Sequence, residues 1–426
     1  MKETTTSLQK GIGMPQAIAL YIGAVLGSGV LIVPGLAAEM AGPASLLAWG
    51  FMTLLILPMA LSMGLLSAKY PNAGGVSHFV TRAYGERAGT LVGWFFLMSV
   101  PIGAPVAALT GAGYLAAAFG WGEGAKIAVA AAMLAVGLIT NWIGMQLAGK
   151  IQIAVVIAIA AVLIFSFGAA LPRMESAHFT PFMPHGWLSV GQAASMLFWC
   201  FIGWEAVSHM SEEFKDPQKA AIKGVTAAAI IVGILYFMSA LATVGTQSYL
   251  KGGSESSMVW IISRPLGPWG GIVAGVTGLC ICMAGIIAYT GAAARVAYAM
   301  AREGHAPKWW SGLSSRFHTP VGALLFLLLC FAAVMLLYGT GTMSLATLIQ
   351  FPNATFILTY MGGCAAGIKL LKGSKAGVVI SWISFAATAV VFPFTGWAML
   401  YPLLITLLFL AIQPRVNRKK VTSLDV

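Results

Sequence analysis

Charged residues are confined to short clusters in this chain. Between the clusters the sequence runs apolar for about 20 residues or more at a time. That spacing leaves few folds open. A run of this length, coiled as an α-helix, matches the hydrocarbon thickness of a bilayer. Of 426 residues, 59% are hydrophobic and 8% charged. A soluble domain carries about 25% charged residues. So few charges cannot cover a water-facing surface, and lipid must cover part of it. The expected fold class is an all-α membrane protein.

The apolar runs fall near 12–41, 44–68, 89–119, 125–145, 148–171, 188–211, 220–245, 270–300, 320–338, 342–369, 375–392 and 394–413. They make about twelve spans. The links are short, so residues 1–426 read as one membrane domain with no soluble domain. The polar start, Met1 to Lys10, leads into the first run without an A-x-A cleavage site. That run reads as a retained transmembrane helix rather than a signal peptide. An even number of spans puts both termini on one side. With both in the cytoplasm, only Lys126, Arg173, Lys251 and Arg264 fall outside, and the rest of the 24 Lys and Arg fall inside. That asymmetry is the positive-inside pattern of a multi-pass plasma-membrane protein. It also accounts for the net charge of +12. Nucleic-acid binding is not implied, because no basic patch carries interleaved aromatics.

Cys200, Cys280, Cys282, Cys330 and Cys364 all lie in apolar runs, which argues against a disulfide framework. The Cys280 and Cys282 pair reads as small packing residues. His78, His178, His185, His209, His305 and His318 are scattered. They read as surface residues, since metal sites need clustered ligands. There is no G-x-x-x-x-G-K-[S/T] loop, no H-E-x-x-H and no G-x-S-x-G. Neither an enzyme nor a cofactor is implied, and ATP-driven work by this chain alone is disfavoured.

Two spans are interrupted. The first holds Gly27-Ser28-Gly29 in its middle, and the sixth holds Phe201-Ile202-Gly203-Trp204-Glu205. These places correspond if the chain contains two five-span repeats, about 12–171 and 188–369, followed by two extra helices at about 375–413. Inverted repeats with breaks at matching places point to a transporter-type site at mid-membrane. An unwound turn at Gly27 to Gly29 frees backbone N–H groups, and the half-helix after it begins with partial positive charge. Together with the Ser28 hydroxyl this makes a seat for a carboxylate. Close helix packing through Gly23-x-x-x-Gly27 is the other reading. A break at Ile202 and Gly203 exposes carbonyls suited to an ammonium group. Trp199 reads either as an aromatic lid or as core packing. Glu205 sits mid-span, where a charge costs about 2.5–3.5 kcal/mol. It reads as a proton-coupling or gating group, or as a carboxylate that binds freed backbone N–H groups. Glu39, near the outer end of span 1, reads as solvated.

The order and spacing of several pieces resemble the amino acid–polyamine–organocation superfamily. They are Ile22 to Val30, Tyr70-Pro71-Asn72-Ala73-Gly74-Gly75 with His78 to Gly85, Phe201 to Glu205 with Glu213-Phe214-Lys215-Asp216-Pro217, and Arg295 to Pro307. The phrases Tyr70 to Phe79 and Phe198 to Pro217 are most similar to its bacterial amino acid efflux branch. The resemblance implies two five-helix inverted repeats plus two helices, with helices 1 and 6 broken. It implies a substrate carboxylate held by Ser28 and Gly29, and an amino group on the carbonyls of Val25, Trp199 and Ile202. It further implies Trp199 as a gate, Tyr289 as an aromatic site residue, and Glu205 as a proton-sensing acid. The chain departs from some relatives in having no lysine in the middle of span 5, and no acidic cage near spans 1 and 8 supports sodium. Val25, Trp199, Ile202 and Tyr289 favour a neutral, hydrophobic amino acid, and the efflux-branch resemblance implies one of the methionine or branched-chain type.

The expected function is alternating-access transport, with export against protons as the preferred mode and import or exchange left open. An intramembrane enzyme lacks a cluster of polar catalytic residues. A sensor would normally carry a soluble signalling domain. Oligomeric state is not legible.

Overall fold

The computed structural model describes residues 13–71, 75–144, 149–205, 215–251 and 253–422. His209, Asn72 to Gly74, and Glu213 with Phe214 of the span 6 exit lie outside the described residues. Among the described residues all regular structure is helical.

Helices follow the apolar runs. The first run is split into α1 (Met14–Val25) and α2 (Gly29–Ala41). Next come α3 (Ser45–Lys69), the short α4 (Gly75–Tyr84), α5 (Glu86–Phe119), α6 (Glu123–Ile143) and α7 (Gly149–Ala170). The sixth run holds α8 (Gly186–Leu197), which tightens into a 3₁₀ turn at Phe198–Phe201. Then follow α9 (Val225–Thr246), the short α10 (Ser257–Leu266), α11 (Pro268–Arg302) and α12 (Val321–Gly339). The chain closes with α13 (Leu345–Leu370), α14 (Lys375–Val391) and α15 (Leu400–Thr422).

Eight stretches among the described residues are long and apolar enough to cross a membrane. Two of them, Gly29–Lys69 (41 residues) and Lys375–Ala411 (37 residues), run through a bend. Each has the length of two crossings at about 20 residues apiece. α13 is long enough at 26 residues but more polar, carrying Gln350, Asn353, Thr355 and Thr359.

α4 replaces the loop expected after span 2. Val76, Phe79, Val80 and Ala83 are buried, a helical 3–4 spacing that gives ten residues one apolar face.

Apolar side chains gain little from meeting each other rather than lipid, so these helices hold by close packing. α5 and α11, the two longest, approach through glycines. A Cβ on Gly278 would lie 3.0 Å from the Tyr114 ring, and one on Gly275 would lie 3.0 Å from Ala118 Cβ. Cys282 is buried against this seam, but Cys280 is exposed on the outer face of α11 rather than packed. Helix periodicity turns residues two apart to different sides. All five cysteines are free thiols.

Polar ties gather at the two ends of the bundle. At one end Lys69 Nζ donates to the Leu370 carbonyl at 2.8 Å, and Lys369 Nζ to the Ala83 carbonyl at 2.6 Å. The Leu370 carbonyl is one of the last in its helix, which have no partner inside it. At the other end Lys126 is buried at 7% exposure, rather than standing free as an outer loop charge. Its Nζ lies 2.7 Å from Tyr338 Oη, 3.2 Å from Glu255 and 3.4 Å from Glu123. Glu39 is exposed.

Gly278→Val tests the seam. Overpacking of this kind costs about 1–3 kcal/mol. The thermal unfolding midpoint of the detergent-solubilised protein should fall, while Cys280→Val on the exposed face leaves it unchanged.

Candidate functional site

The first break spans three residues. Leu26, the C-cap of α1, has ψ 80°, outside the helical range. The Gly27 N–H then folds back to the Val25 carbonyl at 2.8 Å. α2 restarts at Gly29 with Ser28 as its N-cap, and the Ser28 side chain caps no backbone N–H. The Leu31 N–H turns back to the Ser28 carbonyl at 3.2 Å, and the N–H groups of Gly29 and Val30 before it have no intrahelical acceptor. Free donors, a free hydroxyl and the positive end of a 13-residue helix therefore coincide at one point.

The second break leans on the first. Ile202 is extended, and Gly203 has φ +131°, a value that side chains disfavour. A Cβ on Gly203 would lie 2.2 Å from the Ala24 carbonyl oxygen. A Cβ on Gly29 would lie 2.9 Å from Cys200 Sγ and 3.0 Å from Trp199. Only glycine permits either approach. The chain is helical again at Trp204 and Glu205.

Tyr236, on α9, ties the breaks together. Its hydroxyl faces the Val25 carbonyl at 2.7 Å and the Cys200 carbonyl at 2.9 Å. The Val25 carbonyl, expected to hold a substrate amino group, thus already has two partners, Gly27 and Tyr236. A phenolic hydroxyl has one proton, so Tyr236 donates to either the Val25 or the Cys200 carbonyl, one at a time. In sequence Tyr236 looks like any aromatic in an apolar run, and no spacing rule marks it.

Between the breaks lies a cavity of about 80 Å³. Val25, Gly27, Ser28, Gly29, Trp199, Ile202 and Tyr289 all line it; Gly203 and Glu205 do not. Ser99, Gly103, Gly285 and Phe356 line it too. Gly103 stands in Pro101-Ile102-Gly103-Ala104-Pro105, a mid-span signal of the same kind as the two breaks. Nothing in sequence marks Gly285 or Phe356. The Trp199 ring lies over Gly103, where a Cβ would be 3.1 Å from its Cη2.

Glu205 is 1% exposed and lines a second, smaller cavity with Ser77, Phe96 and Thr359. Its Oε2 accepts from the Gly203 N–H at 2.9 Å and from the Tyr360 hydroxyl, and its Oε1 from the Tyr289 hydroxyl at 3.4 Å. It therefore holds a freed backbone N–H and also touches a wall of the first cavity. Phe96, Tyr289 and Phe356 form a ring triangle with centroids 6.2 to 6.5 Å apart. Phe96 faces the Glu205 cavity while Tyr289 and Phe356 face the other, so this triangle is the partition.

The histidines differ from the surface reading. His185 and His318 are exposed, but His78 is half-buried on α4. The His178 side chain is 11% exposed, with Nδ1 2.6 Å from the Gly245 carbonyl. His305 is equally covered, 3.2 Å from Glu86. Among the described residues no three His, Cys, Asp or Glu side chains gather as a metal site would require.

The sequence profile of the amino acid permease family matches residues 12–419. The chain is 38% identical over 395 residues to the uncharacterized amino acid permease YecA of Bacillus subtilis (strain 168), covering 93% of each protein. It is 30% identical over 403 residues to the L-methionine/branched-chain amino acid exporter YjeH of Escherichia coli (strain K12), covering 94% of this chain and 95% of that one. It is 27% identical over 346 residues to the branched-chain amino acid permease BcaP of Bacillus subtilis (strain 168), covering 75% and 73%.

Tyr236→Phe removes the hydroxyl between the two breaks and the one proton that the Val25 and Cys200 carbonyls share. A loss of about 1–3 kcal/mol follows from an unmade buried bond. The unfolding midpoint should drop clearly, whereas Tyr401→Phe, on the peripheral α15, should have a smaller effect.

Proposed function

The chain belongs to the amino acid permease family, and on that premise we propose that it is a secondary active exporter of neutral, hydrophobic L-amino acids of the methionine and branched-chain type, working by proton antiport. One observation carries the reading. The cavity between the breaks is polar at its two backbone ends and apolar on its walls, which Val100, Ile286 and Phe356 supply. An α-amino acid has the same distribution of polarity.

The substrate carboxylate meets the Ser28 hydroxyl and the first N–H groups of α2. The ammonium meets the carbonyls of Val25, Trp199 and Ile202, the first of which also accepts from the Gly27 N–H. Trp199 covers the substrate and must swing off Gly103 to admit a long side chain. Two repeats, 12–171 and 188–369, rock about this point, with α14 and α15 outside them. Both termini face the cytoplasm of a bacterial cell, in keeping with the uneven division of Lys and Arg.

Glu205 supplies the coupling. As a carboxylate it accepts from Gly203, Tyr360 and Tyr289. A proton turns one acceptor position into a donor. It also removes the negative charge that strengthens the bonds on both oxygens, so the hold on the break at Gly203 and on the cavity wall at Tyr289 weakens together. Export as the direction is supported by the methionine and branched-chain exporter from Escherichia coli, a relative over nearly the whole chain.

Counterflow in proteoliposomes is the test. Labelled leucine and methionine should exchange and arginine should not, and Ser28→Trp should reduce exchange at least about tenfold, a loss near 1.4 kcal/mol. A pH gradient should drive net movement in the parent protein. Glu205→Gln should keep exchange and lose that response. Exchange of arginine would remove the substrate class, and indifference of the parent protein to the gradient would remove the antiport.

A further inference from the structure

A groove of about 420 Å³ runs along the outer surface between α3 and α9. It is separate from the substrate cavity and almost wholly apolar. Its floor forms where a Cβ on Gly233 would touch Thr53 Cγ2 at 2.6 Å, beside the buried Ala229. Its walls are large and open to the bilayer: Leu54 is 77% exposed, Ile230 51% and Ile234 55%. An apolar surface in lipid is ordinary. A concave one is not, because it gives an acyl chain contacts on three sides.

Beyond one end of the groove, on the segment that leads into α9, stands Lys223. Lys223, Ile230, Ile234 and Phe237 follow one another at steps of seven, four and three, so they form one stripe along α9 and the turn before it. Lys223 is exposed and carries no ion pair among the described residues. Lys219, a turn earlier, is 3.0 Å from Asp216 and so largely neutralised. At 1.5 Å per residue, Ile230 lies about 10 Å and Phe237 about 21 Å below Lys223. One leaflet of hydrocarbon is about 15 Å deep, half of a core of about 30 Å. Counted down from Lys223, the groove therefore begins within one leaflet and reaches past its floor at the bilayer midplane, on the same helix as an ammonium group with no ion pair among the described residues.

We propose that this groove is a binding site for an anionic glycerophospholipid, with one acyl chain in the groove and its phosphate on Lys223. A zwitterionic headgroup brings an ammonium of its own next to Lys223 and fits less well. The site flanks α9, which carries Tyr236, so the lipid packs against the helix that ties the two breaks.

The test uses full-length protein reconstituted in equal amounts of phosphatidylglycerol and phosphatidylcholine, extracted in mild detergent and weighed by native mass spectrometry. Phosphatidylglycerol should be retained several-fold over phosphatidylcholine. Lys223→Gln should abolish the preference, and Ile230→Trp, an exposed change that fills the groove, should reduce retention of both lipids. Equal retention of the two lipids, or a preference untouched by Lys223→Gln, overturns the proposal. So does a Leu54→Cys disulfide between copies in intact membranes, which would show a second copy seated there.

Discussion

A peptide group inside a bilayer has no water to turn to, and both interrupted helices exist only because something else meets that demand. Each break is the other's solution. Gly203 presses onto the Ala24 carbonyl and Gly29 onto Cys200 and Trp199, so the two unwound turns meet backbone to backbone. Tyr236 reaches a carbonyl from each, and Glu205 takes the N–H that the second break releases. The cavity is the space these contacts leave. Its polar ends are the breaks themselves, and the permease function follows from a constraint on backbone hydrogen bonding before any side chain is chosen for specificity.

The ionisable groups in the bundle obey the same economy. Lys126 is covered yet meets a hydroxyl and two carboxylates, and Glu205 is covered yet accepts from Gly203, Tyr289 and Tyr360. Removing one partner from such a group leaves an uncompensated charge, so these clusters hold firmly until a proton or a conformational change alters them. Lys126 joins the start of α6 to the end of α12 and to Glu255, far from the ties of Lys69 and Lys369 at the opposite end.

Much of this was legible from residue spacing. The clustering of charges marks the helices, and glycines beside polar residues in mid-run mark both breaks within a residue or two. Gly27, Ser28, Trp199 and Ile202 meet in space as their matching positions suggest. What escaped the sequence is what depends on distant partners. Lys126 looks like a loop charge because Glu255 lies 129 residues away. Phe356 and Gly285 reach the cavity from helices with no break to flag them. Tyr236 is one aromatic among many until its hydroxyl is seen between two carbonyls. α4 hides because a ten-residue amphipathic helix is too short and too polar to register in a scan for spans.

The partition of Phe96, Tyr289 and Phe356 sets a contrast in speed. It is one ring thick, and side chains change rotamer in picoseconds to nanoseconds when they have room. The seam of Gly203 on Ala24 is backbone against backbone, and such elements shift collectively, in microseconds to milliseconds. Slow rearrangement belongs to the place where Gly203 meets Ala24, and faster fluctuation to the place where three rings meet.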